Sequence, residues 1–127
     1  MSRKKIKIEY QFNNASKNIL WNSIGTPLGL SEWFADEVSV IGTQYIFRWN
    51  NIKQIANLID SKANSFIRLQ WEDDEDTDYY FELRINSLEI SGQLALTIND
   101  FADEDEVKDT ILLWDKQIDV LKRKTGI

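Results

Sequence analysis

The sequence predicts an α+β domain: a curved antiparallel sheet of about six to seven strands against a long C-terminal helix, with two short helices after the first strand. Three patterns predict it. Most of the chain alternates apolar and polar residues with the period of a half-buried strand. Two short stretches after the first strand carry helix-capping residues. The last stretch has an apolar stripe of helical period. A chain of 127 residues suits one domain, 1–127, and can bury roughly two-thirds of its unfolded surface.

The elements follow in order. Ile6, Ile8, Tyr10 and Phe12 alternate with Lys5, Lys7, Glu9 and Gln11, the first strand. Asn13-Asn14 breaks it. Ser16 caps a short helix carrying Ile19, Leu20 and Ile24. Gly25-Thr26-Pro27 ends that helix and opens another, with Thr26 as cap and Pro27 at the first helical position; it carries Leu28, Leu30, Trp33 and Phe34. Val38 and Val40 form a strand that turns at Gly42, and Tyr45, Phe47 and Trp49 alternate with Ile46 and Arg48. In 52–61 the positions Ile52, Ile55, Ala56 and Ile59 fit a helical period, yet the β-branched content and the preceding Asn-Asn favour a strand. Ile67, Leu69 and Trp71 make the next strand, and Tyr79, Phe81, Leu83 and Ile85 the one after. Gly92 marks a turn before Leu94, Leu96 and Ile98. The terminal helix is expected over roughly 104–124, about 30 Å long. Its stripe is Val107, Ile111, Trp114, Ile118 and Leu121. Asp103 with Glu106 is a capping pattern, and Lys122, Arg123 and Lys124 suit the negative end of the dipole.

Composition narrows the chemistry. There is no cysteine and no histidine. That removes disulfides, thiolate nucleophiles, Ser-His-Asp arrangements and the usual zinc ligands. No cofactor or metal is expected. The net charge of −6 argues against nucleic acid, which needs clustered Lys and Arg. The basic N-terminal stretch is not followed by the apolar run of a signal peptide. No stretch approaches the length of a transmembrane span. A cytoplasmic protein is expected. The run Glu72-Asp73-Asp74-Glu75-Asp76-Thr77-Asp78 lacks the Gly and the bidentate Glu of a calcium loop and reads as a solvated hairpin tip.

Several segments carry a resemblance. Gly29-Leu30-Ser31-Glu32-Trp33-Phe34-Ala35-Asp36 resembles the second short helix of the START-like superfamily. It is most similar to the branch named for the activator of the ninety-kilodalton heat-shock protein's ATPase. Tyr45-Ile46-Phe47-Arg48-Trp49 is similar to that family's next aromatic strand. Leu94-Ala95-Leu96-Thr97-Ile98-Asn99-Asp100-Phe101 is similar to its last strand, and Leu113-Trp114-Asp115 to its long helix. The whole chain resembles small START-like proteins of Bacteroidetes-type bacteria that have no assigned activity. The resemblance implies a helix-grip fold, with the sheet wrapped around the terminal helix and an apolar cavity between them. It also implies that 52–61 is a strand. Members bind lipids, sterols, polyketides or other hydrophobic molecules. Some are enzymes, and one branch contains a co-chaperone.

Two readings of function stay open. In the first, a hydrophobic or amphipathic, lipid-like molecule sits between sheet and helix, and the candidate ligand-binding residues are Phe12, Trp33, Phe34, Phe47, Trp49, Trp71, Phe81, Leu83, Leu96, Trp114 and Ile118. Trp33 and Phe34 would stand at the cavity mouth, as the resemblance implies. In the second, the same aromatics only fill a core, and the domain docks on a protein partner through its acidic surface and the Trp33–Phe34 region. An enzyme trails both, because no nucleophile has an evident base. Asp100 shares the parity of Leu94, Leu96 and Ile98; if it faces inward, it would be desolvated and its pKa raised. Arg48, Arg68 and Arg84 have the opposite parity and are expected outside, with Arg84 able to pair with an acid of a neighbouring strand.

Overall fold

In the computed structural model, which describes residues 2–88 and 93–127, the elements come in the expected order. They are β1 (Lys4–Phe12), α1 (Lys17–Gly25), α2 (Pro27–Leu30), β2 (Glu37–Ile41), β3 (Gln44–Trp49), β4 (Ile52–Lys62), β5 (Phe66–Trp71), β6 (Phe81–Ser87), β7 (Leu94–Ala102) and α3 (Val107–Thr125). The expected turn at Gly92 lies outside the described residues. The seven strands form one open, curved antiparallel sheet in the order β1-β7-β6-β5-β4-β3-β2.

The two short helices are built by their caps. Ser16 Oγ accepts from the Ile19 amide at 3.2 Å, and Thr26 Oγ1 from the Gly29 amide at 3.0 Å. Each satisfies one of the donors a helix start leaves free. A Cβ at Gly29 would lie 1.8 Å from the Asn22 carbonyl oxygen. Glycine is what allows α2 to fold back against α1. The indole of Trp33 then donates to the Ser23 carbonyl at 2.7 Å and ties the segment after α2 to α1.

β4 is a strand, and its misleading period has a cause. Leu58 pairs with Leu69 and Asp60 with Arg68, so Ile59 is an extra residue in the ladder. Such a bulge bends a strand and breaks its alternation. Ile59 is exposed, and Ala56, on the opposite face of the strand, is buried.

Two expectations need correction. α3 begins at Val107, after a single 3-10 turn over Glu104–Glu106, and neither Asp103 nor Glu106 caps it with a side chain. The intervening turn carries Asp103 away from the first free amides of α3; the acids still lie at the positive end of its dipole. The ladder of β6 starts at Phe81 and not at Tyr79. The Gln70 side-chain amide donates to the carbonyls of Thr77 and Tyr79, which holds the end of the acidic loop out of register.

The apolar stripe of α3 faces the sheet as expected. Trp114, Ile118 and Leu121 are buried in one cluster with Phe12, Leu20, Ile24, Phe47, Leu69, Leu83, Leu96 and Ile98. Each fully buried side chain of this kind stabilises by about 1.5–3 kcal/mol. Polar contacts fix the helix in place. The Tyr10 hydroxyl donates to Asp115 Oδ1 at 2.6 Å, and the Gln117 side chain donates to the Phe34 carbonyl at 3.1 Å. Burial, aided by that bond to Asp115, pushes the Tyr10 hydroxyl well above its ordinary pKa.

The outer face of the sheet carries a second polar cluster. Glu82 is buried there, bonded to Arg68 at 2.7 Å on β5, to Arg84 at 3.1 Å on its own strand and to Asn99 on β7. Arg68 lies over Tyr80 and Arg84 over Phe66. Burial pushes the Glu82 carboxyl up, but the bonds from Arg84 and Arg68 outweigh it and hold its pKa below the usual range. Arg48 meets only Glu37, at 3.9 Å and exposed.

Candidate functional site

The aromatic side chains meet at one end of the sheet. Phe34 is their hub. Its ring lies 5.0 Å from Phe47, 5.6 Å from Trp33 and Trp49, and 5.7 Å from Phe81 and Trp114. Trp71 stacks on Phe81 at 4.9 Å. The ring separations are those of favourable aromatic pairs. The indoles that approach this hub find acceptors: Trp49 donates to the Phe34 carbonyl at 2.8 Å, and Trp114 to Asp100 Oδ2 at 2.9 Å.

Beside this cluster the space between sheet and α3 is not filled. A recess of about 390 Å³ is lined by Phe34, Trp49, Ile52, Gln54, Trp71, Phe81, Asp100, Thr110, Leu113, Trp114 and Gln117. Its lining comes from the ends of β3, β5 and β7, the starts of β4 and β6, and the first half of α3. Ile52 and Leu113 are 60% and 57% exposed, so apolar surface reaches the solvent at the recess. A second space of about 570 Å³ adjoins it, lined by charged groups including Arg3, Lys53, Glu72, Asp73, Asp103 and Glu106. Gln54, Trp71, Asp100 and Thr110 line both.

Five of the residues expected from sequence to bind a ligand line the recess: Phe34, Trp49, Trp71, Phe81 and Trp114. The other six, Phe12, Trp33, Phe47, Leu83, Leu96 and Ile118, belong to the packed core and are not part of its lining. The helices α1 and α2 fill their side of the sheet, through Leu20, Ile24 and Leu30. Trp33 is anchored there by its bond to Ser23 and is not part of the recess lining. Sequence reasoning missed Ile52, Gln54, Thr110, Leu113 and Gln117. A signal existed for some: Thr110 and Gln117 stand four before and three after Trp114, on its helix face, and Gln54 shares the parity of Ala56.

Asp100 is inward, as its parity predicts. Its Oδ1 accepts from the Phe101 amide at 2.8 Å, in addition to the bond from Trp114. Burial pushes its carboxyl up, against the pull of these two donors. The acidic loop is more than a solvated tip. Asp74 is buried and bonded to Arg3 at 2.9 Å, while Arg3 lies over the Tyr79 ring at 4.5 Å. The loop is thereby fastened to the residue just before β1. Among the described residues no group of three acids is placed to hold a metal ion, and no helix is long and apolar enough to cross a membrane.

The family model for the START-like superfamily domain matches residues 1–127. The chain belongs to the START-like superfamily. A Bacteroides fragilis protein of known solution structure is 41% identical, covering 100% of this chain and 94% of that one, with a TM-score of 0.70. Two more distant structures share the START-like fold. The Aha1 dimer of Colwellia psychrerythraea is 16% identical over 98% of this chain and 97% of that one, with a TM-score of 0.79. CalU16 of Micromonospora echinospora is 16% identical over 97% of this chain and 76% of that one, with a TM-score of 0.75. No curated protein matches the chain.

Proposed function

We propose that this START-like domain binds a hydrophobic or amphipathic small molecule in the recess between the sheet and α3. The observation that carries the reading is the unfilled space of about 390 Å³ walled by Phe34, Trp49, Trp71, Phe81, Leu113 and Trp114. Spaces of this size, mostly apolar with a few polar groups, suit small ligands. Gln54, Asp100, Thr110 and Gln117 are the polar groups that would orient one. The aromatic rings would hold its apolar part. Three of them are tied together through Phe34 by ring contacts or hydrogen bonds, so little ordering would be needed on binding. A cytoplasmic setting is part of this proposal. The alternative, docking of a protein through Trp33 and Phe34, has weaker support, because both rings are buried.

Native mass spectrometry of the freshly purified protein tests the reading. A reproducible extra mass, lost on denaturation, is the expected result. A native mass equal to the denatured one, together with tryptophan fluorescence that does not respond to added decanol, would count against it.

A further inference from the structure

The apolar recess and the charged space beside it share the half-buried Asp100, and this residue lacks what the buried Glu82 has. Glu82 is matched by two guanidiniums. Asp100 takes part in no ion pair among the described residues. Its two oxygens each accept one hydrogen bond, from Trp114 and from the Phe101 amide. A carboxylate has about four lone-pair sites, so acceptor capacity remains on both oxygens. A partly buried carboxylate without a counter-charge is disfavoured, and among the described residues none is in contact with it.

Resting on the reading of the recess as a ligand site, we infer that Asp100 anchors the polar end of the ligand, and that the ligand is an amphiphile with a protonated amine at one end and an apolar chain or ring system at the other. The amine completes the carboxylate at the junction of the two spaces. The apolar part lies against Trp49, Trp71, Phe81 and Trp114. The surrounding charge favours a cation over an anion. Arg3 is already engaged by Asp74 and Tyr79, which leaves Lys53 among the lining cations. Against it stand Glu72, Asp73, Asp103 and Glu106. Asp100 contributes more than Glu72, Asp73 and Glu106, because it is half-buried and those three are exposed to solvent.

Three probes with one chain and different head groups decide the matter: decylamine, decanol and decanoate, titrated below their aggregation limits and read by tryptophan fluorescence. A hydrogen bond to a charged group is worth about 1.5–3 kcal/mol, so decylamine is expected to bind about ten- to a hundredfold tighter than decanol. Decanoate is expected to bind most weakly. Asp100→Asn should bring decylamine to the level of decanol, and Leu113→Ser should weaken both alike. Near-ultraviolet circular dichroism checks that the variants keep the fold, and the head-group comparison on the unaltered protein needs no variant. Equal binding of amine and alcohol, or an amine preference that survives Asp100→Asn, would overturn this inference and leave the recess reading standing. Failure of all three probes to bind would overturn both.

Discussion

Asp100 and Glu82 are both withdrawn from solvent to some degree, on opposite faces of the sheet, yet their pKa values are displaced in opposite directions. Around Asp100 are Trp114, the Phe101 amide, Arg3 and Asp74, and burial prevails. Its folded-state pKa lies above the unfolded value, so the folded form binds its proton more tightly. Asp100 therefore costs stability progressively as pH rises through the carboxylate range. Glu82 has its pKa depressed by Arg84 and Arg68 despite burial. Its contribution is present above the unfolded value and is lost as pH falls through the folded one. Two variants separate these effects. Relative to the parent, Asp100→Asn should gain stability between pH 3 and pH 7, and Glu82→Gln should lose it, as flanking pH values for carboxylate titration. At neutral pH the loss for Glu82→Gln should be about 1–3 kcal/mol. The side chains of Arg68 and Arg84 are 33% and 35% exposed, so solvent screening places it in the lower part of that range. Urea denaturation across that interval is the check; parallel curves for parent and variants would refute both assignments.

At the scale of the element, what decided each outcome was how neighbouring segments meet. The capped helices were legible because Ser16, Thr26 and Pro27 act on their own neighbours. Strands β1, β3 and β5 were legible because one face is more deeply buried than the other, and β7 because its inward positions Leu94, Leu96 and Ile98 are large and apolar although both of its faces are covered. β4 was not legible from its pattern, since the bulge at Ile59 adds a residue that alternation cannot anticipate. The missing cap of α3 has a similar origin: Asp103 and Glu106 have the right spacing, but the chain uses a 3-10 turn there. The contact of α2 with α1 yields a further expectation. Gly29→Ala would place a methyl carbon inside the Asn22 carbonyl. Overpacking against backbone should cost about 1–3 kcal/mol, seen as a lower midpoint in thermal or urea unfolding. A midpoint equal to the parent's would mean that the α1–α2 hairpin has slack that these distances do not contain.

Over the whole molecule, the START-like architecture divides the inner side of the sheet into a filled part and an unfilled part. α1, α2 and Trp33 pack one region; between α3 and the sheet edge formed by the ends of β3, β5 and β7 and the starts of β4 and β6 the space stays open. Strand parity could point Phe12, Phe47 and Leu83 inward, and the helical stripe Trp114, but neither could separate core from lining. That division depends on where two helices and one turn come to rest. It also explains why polar lining residues such as Gln54 and Thr110 are hard to pick out: their positions place them on inward faces, but a polar side chain there gives no sign that it lines a space. The division predicts a contrast in stability. Phe34→Ala removes the hub of five ring contacts and should cost about 3–5 kcal/mol. Leu113→Ser lies at an exposed position and should change stability by about 0.5 kcal/mol or less. Comparable losses from both in thermal unfolding would argue against an unfilled recess at Leu113.

On the proposed function, a small molecule enters between the sheet and α3. The five tryptophans report on it separately, because each indole N–H gives its own proton resonance. Trp49, Trp71 and Trp114 line the recess; Trp33 is bonded to Ser23 on α1, and Trp21 lies on α1 itself. Titration with decylamine, followed by nuclear magnetic resonance of the indole protons, should move the resonances of Trp49, Trp71 and Trp114 and leave Trp21 and Trp33 in place. Movement confined to Trp21 and Trp33, or no movement at saturating probe, would contradict the account.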